Sequence, residues 1–584
     1  MRIRKLCTPL CASALVQLAF FPGATAQTTP LPAPWFGPAG GTYTYNLTVA
    51  INESVPGMTM FYTTDGSTPS ATHGTQYRGA IPVTANVAIK AIAVDPNSPP
   101  NYANSPVSTA SYVLNLPYEA PLPQGEWAWE SGSSTQTAIP ACGGYFETAG
   151  SYGTLGVPSP TNVPGSRQVA MHWTGKNGNF WLFGGEAYAA DGQCDLANDL
   201  WMFNPTTKEW AWMSGSSTYG SGEEVPGVYG TLGQFAPGNV PGSRELAVTW
   251  TDPSGNLWLF GGYGVDSVGT EGDLNDVWEF NPTTNQWAWM AGSKIGNQHG
   301  AYGYLHVANA GNTPGARYSS IGWTDRNGNL WLFGGASYDA TGKFGVINDL
   351  WEFNPSTRQW AWMGGSHILS HPGVYGKHDV PSPNNIPGAR ASASGWVDAE
   401  GNFWLFGGGG NGAGTTSGTL NDLWEFNPSD LNWTWAAGNA YAGTYPGGGQ
   451  AGVYDNLGVP DPGNNPGSRS QAATWTDAHG NLWLFGGGGY DSVGNAILLN
   501  DLWEFDRSKW LWAWMGGSKT GVGTGNYGTL GVPSSQTWPG PRIYAGSWTD
   551  KSGNIWLFGG NAGGGVAPDY TYTWLNDLFE YQVP

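Results

Sequence analysis

The sequence predicts an all-β ring of six four-stranded units, and three observations carry that prediction. A run typified by Leu257-Trp-Leu-Phe-Gly-Gly262 recurs six times along the 584 residues. The copies align on an arginine: Arg167, Arg244, Arg317, Arg390, Arg469 and Arg542, spaced 73 to 79 residues apart. A tryptophan follows each arginine at six positions and another at fourteen, before a Gly-Gly pair closes the run. Finally, the sixth unit lacks the Trp-x-Trp segment that ends the others, while an orphan copy, Trp127-Ala-Trp129, precedes the first. Such periodicity means one supersecondary unit repeated, each burying its apolar faces against its neighbours. A strand supplied from the N-terminal side would complete the last unit and leave no free edge.

One unit, residues 241–292, shows how the elements are read. Residues 246–251 form a short, half-apolar first strand. Asp252-Pro-Ser-Gly255 is a tight turn, with Asp at its first position and Gly at its last. Residues 257–260 are four apolar residues in a row, as in a strand buried on both faces, and Gly261-Gly262 is expected to stop it. After a loop of about a dozen residues, residues 275–280 alternate apolar and polar. Asn281-Pro-Thr-Thr284 is a second tight turn, and residues 286–290 carry the Trp-x-Trp strand. Four strands with short turns, repeated around a ring, are β-propeller blades.

The apolar strand ending in Gly-Gly, the aromatic of the third strand and the tryptophan of the fourth resemble the kelch repeat, found also in the central domain of galactose oxidase. The resemblance covers residues 126–584 and implies a six-bladed kelch-type propeller. One departure is the second tryptophan of the fourth strand. Of the 33 tryptophans, 29 fall on this lattice, leaving Trp35, Trp510, Trp538 and Trp574 off it. The lattice tryptophans are expected to be core, since each buried aromatic removes roughly 150–250 Å² from water.

Ahead of the ring, residues 30–115 read as a small β-sandwich. Phe61-Tyr-Thr-Thr-Asp-Gly-Ser-Thr-Pro69, Tyr77 and Ala88-Ile-Lys-Ala-Ile-Ala93 resemble the module at the C-terminal end of chitobiases and β-hexosaminidases. That resemblance implies an accessory immunoglobulin-like domain without catalytic residues. Asp65-Gly-Ser-Thr68 reads as a hairpin turn. Residues 116–125 read as a Pro-rich linker. Residues 1–26, with Arg2, Arg4 and Lys5 before an apolar run and Ala24-Thr-Ala26 at its end, read as an export signal. The expected location is therefore secreted, periplasmic or cell-surface, with no membrane span. The formal charge of −20 argues against nucleic-acid partners. Outside the signal only Cys142 and Cys194 remain. Their loops should open on one face, and an exported protein permits a disulfide between them.

Loop lengths point to one functional face. Turns between first and second strands, and between third and fourth, are short in every unit, whereas the second-to-third loops and the connections between blades are long. On that face a tyrosine sits fifteen positions before each arginine (Tyr152, Tyr229, Tyr302, Tyr375, Tyr454, Tyr527), and Asn-Asp pairs open the third strands. The arginines either form charge-assisted bonds that tie loops to blades or make an anion-binding ring. Departures from symmetry nominate other candidates. Trp538, Tyr570, Tyr572 and Trp574 on the sixth blade could stack on sugars. His367, His371, His378 and Asp379 are weak metal candidates, since no spacing there matches a metal site. Glu186, Glu223, Glu224 and Asp569 are available carboxylates, with no spacing that singles out an acid/base pair.

Copper chemistry of the galactose oxidase kind is not expected, because the tyrosine, histidine and crosslinked cysteine it needs are not found in that arrangement. No cofactor and no catalytic residue is expected. The reading drawn from the sequence is a monomeric, non-catalytic recognition protein that binds extracellular glycan through the looped face. A cell-surface or protein-binding scaffold is one alternative. The other is a carbohydrate-active enzyme (epimerase, lyase or hydrolase), because kelch epimerases acting on sialic acid share the fold.

Overall fold

The computed structural model describes residues 29–583 except 44–46, 84, 98–99, 115–124, 135–147, 220–223, 415, 444, 446, 522–524 and 564–571. Residues 1–26, read above as an export signal, and most of residues 116–125, read as a linker, lie outside the described residues. Among the described residues all regular structure is β, and no helix is long and apolar enough to cross a membrane. The chain divides into two compact units, an N-terminal one and one that holds the whole ring.

The N-terminal region builds a five-stranded sheet in the order Gly41–Tyr43, Ser108–Leu114, Val87–Val94, Thr59–Thr63, Thr75–Gln76, and a three-stranded sheet of Trp35–Gly37, Leu47–Asn52 and Ile81–Val83. Period-2 patterning sets its core: Leu47, Val49 and Ile51 are buried while Thr48 between them is exposed. Asp65 forms the expected turn, its Oδ1 accepting from the Ser67 amide at 3.0 Å.

The ring has six blades, numbered here from Arg167, Arg244, Arg317, Arg390, Arg469 and Arg542. Blade two is representative. Val248–Thr251 pairs with Leu257–Val265, that strand with Glu271–Asn281, and the third with Gln286–Ala291, all antiparallel. The innermost strands touch in cyclic order from blade one to blade six and back to blade one, so the ring is closed. Closure uses the orphan segment as expected. Glu126–Ser131 pairs antiparallel with Tyr572–Gln582, placing Trp129 opposite Phe579 and Trp127 opposite Tyr581. The fold is therefore a six-bladed kelch-type β-propeller.

The Gly-Gly pair does not stop the second strand, contrary to expectation. In blades two to six the strand runs on past it, and the pairing shifts register there as a β-bulge. Both glycines adopt positive φ, +64° and +93° at Gly261 and Gly262. A Cβ on Gly261 would lie 2.8 Å from the carbonyl oxygen of Arg317 in the next blade. The glycine thus permits backbone of one blade to press on backbone of the next.

Two further devices link blades. The residue two past each arginine (Val169, Leu246, Ser319, Ser392, Gln471, Tyr544) has φ between 53° and 61°. From Leu246 to Tyr544 the amide of each donates to the carbonyl of its counterpart in the preceding blade at 2.9–3.2 Å, forming a backbone collar around the channel. First-strand tryptophans bridge the same gap. The indoles of Trp173, Trp250, Trp396 and Trp475 donate to the backbone of Trp258, Trp331, Trp483 and Trp556. Trp323 and Trp548 do not. They stack instead on Phe403 and Phe180, at 5.2 Å and interplanar angles of 3° and 9°. At that position the other blades carry Leu or Ile.

Candidate functional site

The arginines are resolved by burial. Each is at most 2% exposed and grips the Asp of an Asn-Asp pair with two hydrogen bonds. In blade two, Arg244 reaches Asp276 at 2.7 and 2.8 Å, the Gly261 carbonyl at 3.0 Å and the Gly242 carbonyl at 3.1 Å. The tyrosine fifteen residues upstream donates to the same carboxylate, Tyr229 to Asp276 at 2.7 Å. So does the third-strand tryptophan, Trp278, at 2.7 Å. The Asn of the pair accepts from the end of the fourth strand, and Asn576 makes the equivalent bond to Ser133 after the closing strand. The anion-binding reading is thereby corrected: these guanidiniums already hold a carboxylate and are sealed from solvent.

Of the sixth-blade aromatics, Trp538 and Trp574 do not share a face. Trp538 is partly buried, packs edge-on against Trp127 at 6.1 Å and donates to the Asn500 carbonyl at 2.9 Å. It completes the core at the ring closure. Trp574 lies elsewhere, against Tyr188 at 5.5 Å, and lines a cavity at the channel mouth. Tyr570, Glu223, Asp569 and the side chain of Tyr572 lie outside the described residues. The histidine cluster does not assemble. His367 packs on Tyr302 and Trp362, and His378 pairs with its neighbour Asp379 at 2.7 Å and packs edge-on against Trp435 at 4.9 Å. Among the described residues no group of three His, Cys, Asp or Glu side chains could hold a metal. Cys194 is disulfide-bonded and Cys142 lies outside the described residues. Cys194 also lines the cavity, so the bond pins its wall.

That cavity arises where symmetry fails. Three positions in each blade form a row across its strands. The residue after the arginine is Gln168, Glu245, Tyr318, Ala391, Ser470 and Ile543. Opposite it, just past Gly-Gly, stand Glu186, Tyr263, Ala336, Gly409, Gly488 and Asn561. The third strand adds Leu196, Asp273, Val346, Thr419, Leu498 and Trp574. Carboxylates concentrate on blades one and two, and blades four and five carry small or apolar groups. The resulting cavity, about 280 Å³, is lined by Glu186, Glu224, Glu245, Glu271, Asp195 and Trp574, among others.

Its electrostatics separate the carboxyls. Burial, aided by the negative charge of Glu186, pushes the Glu245 carboxyl up to about 8. Burial first, then hydrogen bonding and charge from Asp195 and Glu271, push Glu224 up to about 8. Burial lifts Asp273 to about 6. Tyr263 donates to Glu271 at 3.0 Å and is itself pushed up to about 12, mainly by burial. Glu186 accepts from Gln168, which is held in turn by Asn561 at 2.8 Å. At neutral pH the site therefore presents a protonated acid, Glu245, in the same cavity as the Glu186 carboxyl. That is the arrangement of a general acid with a general base. Sequence reasoning named Glu186 and Glu224 as available. It missed Glu245, Glu271 and Asp273, although the position next to each aligned arginine and each Gly-Gly pair carried the signal.

Comparison with known proteins adds three findings. Residues 38–104 match the Chitobiase/beta-hexosaminidase C-terminal domain family. Curated relatives named N-acetylneuraminate epimerase, from Shigella flexneri serotype 5b and Escherichia coli K12, are each 29% identical over 182 residues. The match takes in 28% of this chain and 48% of each relative, so the chain spans about half the length of the curated relatives it matches. Among solved structures, YjhT aligns with a TM-score of 0.40 at 15% identity, over 74% of this chain and 99% of that one. A copper-bound fungal alcohol oxidase of the AA5 family aligns with a TM-score of 0.38 at 12% identity, over 74% and 77%. The enzyme name of the curated relatives overturns the expectation of a non-catalytic recognition protein.

Proposed function

We propose that this protein is a carbohydrate-active enzyme that moves protons at the mouth of the propeller channel, with sugar epimerisation as the reaction class. The observation that carries it is the convergence in one cavity of Glu245, which burial keeps protonated, and Glu186, which Gln168 holds in place. The name of the curated relatives supports the reaction class. An epimerisation at an anomeric carbon needs two matched transfers. Glu186 takes the proton of the anomeric hydroxyl and Glu245 gives one to the ring oxygen. The ring carbon–oxygen bond breaks, the open form turns, and the reverse transfers close it, with no net change of proton or electron. Gln168 orients Glu186, and Trp574 offers an apolar face to the sugar ring.

The substrate class differs from the relatives' printed one in charge. N-acetylneuraminate is an anion, whereas among the described residues the cavity lining holds Glu and Asp and neither Lys nor Arg. We therefore propose a neutral or basic sugar. Exchange spectroscopy by NMR on a panel of neutral, amino and acidic reducing sugars tests this. Accelerated interconversion of a neutral or amino sugar, lost at least 100-fold in Glu245→Gln, is expected. Acceleration confined to acidic sugars would defeat the charge argument, and no acceleration of any sugar would defeat the enzyme reading.

A further inference from the structure

Beside the acidic cavity lies a second and larger one, about 620 Å³, which shares Glu245, Tyr263 and Glu271 with the first. Its character is different. Tyr318, Tyr338 and Phe344 of blade three wall it, with Asp273 and Asn297 of blade two at its edge. The rings form a continuous run. Tyr263 meets Tyr318 edge-on at 6.5 Å, Tyr318 meets Phe344 at 6.0 Å, and Phe344 meets Tyr338 at 5.2 Å. Phe344 is 45% exposed although aromatic.

Symmetry shows that the ring does not need this run. The position of Tyr318 is Ala391 in blade four and Ser470 in blade five, and that of Phe344 is Ser417 and Ala496. Those blades have the same backbone register with small residues there. The aromatic wall is an addition to the scaffold, placed where it continues the acidic cavity. Exposed aromatic faces flanked by a carboxyl and a carboxamide suit a pyranose: the apolar C–H face lies on the rings and the hydroxyls meet the polar edge.

We infer that this cavity is a second sugar subsite, so that the ligand is an oligosaccharide of at least two rings. The reacting ring sits in the acidic cavity and its neighbour on the aromatic wall of blade three. This rests on the proposed enzymatic reading for the role of the first ring, and on the aromatic cavity itself for the second.

Calorimetry on the intact chain tests it with four matched pairs: glucose and cellobiose, galactose and β-1,4-galactobiose, mannose and β-1,4-mannobiose, N-acetylglucosamine and N,N′-diacetylchitobiose. At least one disaccharide is expected to bind ten or more times tighter than its monosaccharide. Phe344→Ser, which takes the residue of blade four at an exposed site, should cut that ratio at least threefold and leave monosaccharide binding unchanged. The double variant with Tyr318→Ala should bring the ratio near one. Glu245→Gln should abolish interconversion and keep the ratio. No binding by any pair at 10 mM, equal affinities within every pair, or a ratio untouched in the double variant would overturn the subsite. A ratio that behaves as expected without interconversion of any sugar would leave the subsite standing and remove the enzymatic reading.

Discussion

Around the ring, the arginine that opens each blade meets the same carboxylate, glycine carbonyls and tyrosine-bearing loop six times over. One residue further along, the chain carries Gln168, Glu245, Tyr318, Ala391, Ser470 and Ile543 in turn. The two regions are separated by a single peptide bond and differ in what they hold constant. Buried charge is tolerated at the arginine because every guanidinium is paired and hydrogen-bonded. Among the described residues no cation pairs with Glu245, and burial beside Glu186 makes its carboxyl hold its proton instead. A repeated fold thus keeps its symmetry in the scaffold, and its exceptions set the character of the cavity.

The comparison can be broken from either side. The largest effect is expected from Asp422→Ala in blade four, remote from the acidic cavity. It strands the buried Arg390 and removes the acceptor of Tyr375 and Trp424. A loss of about 3–5 kcal/mol is expected, read by denaturant unfolding, with turnover per folded molecule unchanged. Loss of less than about 1 kcal/mol would mean that the ring of ion pairs is not what holds loops to blades.

Next in size is Trp538→Ala at the ring closure. Loss of its contact with Trp127 and its bond to Asn500 should cost about 3 kcal/mol and leave sugar affinity unchanged, as measured by thermal unfolding and calorimetry. Unchanged stability with lost binding would restore it as a ligand residue.

At the other extreme, Glu245→Gln should abolish turnover while raising stability in alkaline solution. The sign follows from linkage. The folded Glu245 and Glu224 keep their protons up to about 8, whereas their unfolded forms release them near the ordinary value of 4.5. Between those values the folded chain binds more protons at these groups, so the stability they contribute is full below about 4.5 and is lost as pH rises toward 8. Glu425 and Glu504, raised to about 7 chiefly by burial, add to the same slope. Melting temperatures from pH 5 to 9 should decline less steeply in Glu245→Gln than in the parent; equal slopes would mean that Glu245 is charged when folded.

The smallest effect is expected from Phe403→Leu. It gives blade four the residue of blades two, three and five and should let Trp323 donate to Trp404 as Trp250 donates to Trp331 at 2.9 Å. Stacking is exchanged for a hydrogen bond, so the net change should stay within about 1.5 kcal/mol. A new indole N–H protection in hydrogen exchange would confirm the swap, and its absence would show that the stack is not what displaces the bond.

How much of this was legible before folding follows from how each feature is encoded. Arg244, Trp250, Trp258, Gly261 and the Trp287–Trp289 pair repeat at fixed spacing, so blade number, strand order and ring closure by Trp127 and Trp129 could be read directly. The pairing of arginines with Asn-Asp aspartates was also within reach, because the two sets occur one-to-one. The role of Gly261 and Gly262 was misread, because a bulge and a strand end look alike until the partner strand is seen. Trp538 and Trp574 looked like neighbours because they share a blade, yet one faces the core and the other the channel mouth.

The candidate site was the least legible part. Glu186, Glu224, Glu245 and Glu271 span 86 positions of sequence, and each alone is an ordinary glutamate. Sequence by itself determined the lattice, since local patterning and repetition dictate strands and their packing partners. Only tertiary structure decided which carboxyls share one cavity and which of them keeps a proton, because burial and charge at that mouth are set by three blades converging on a common axis.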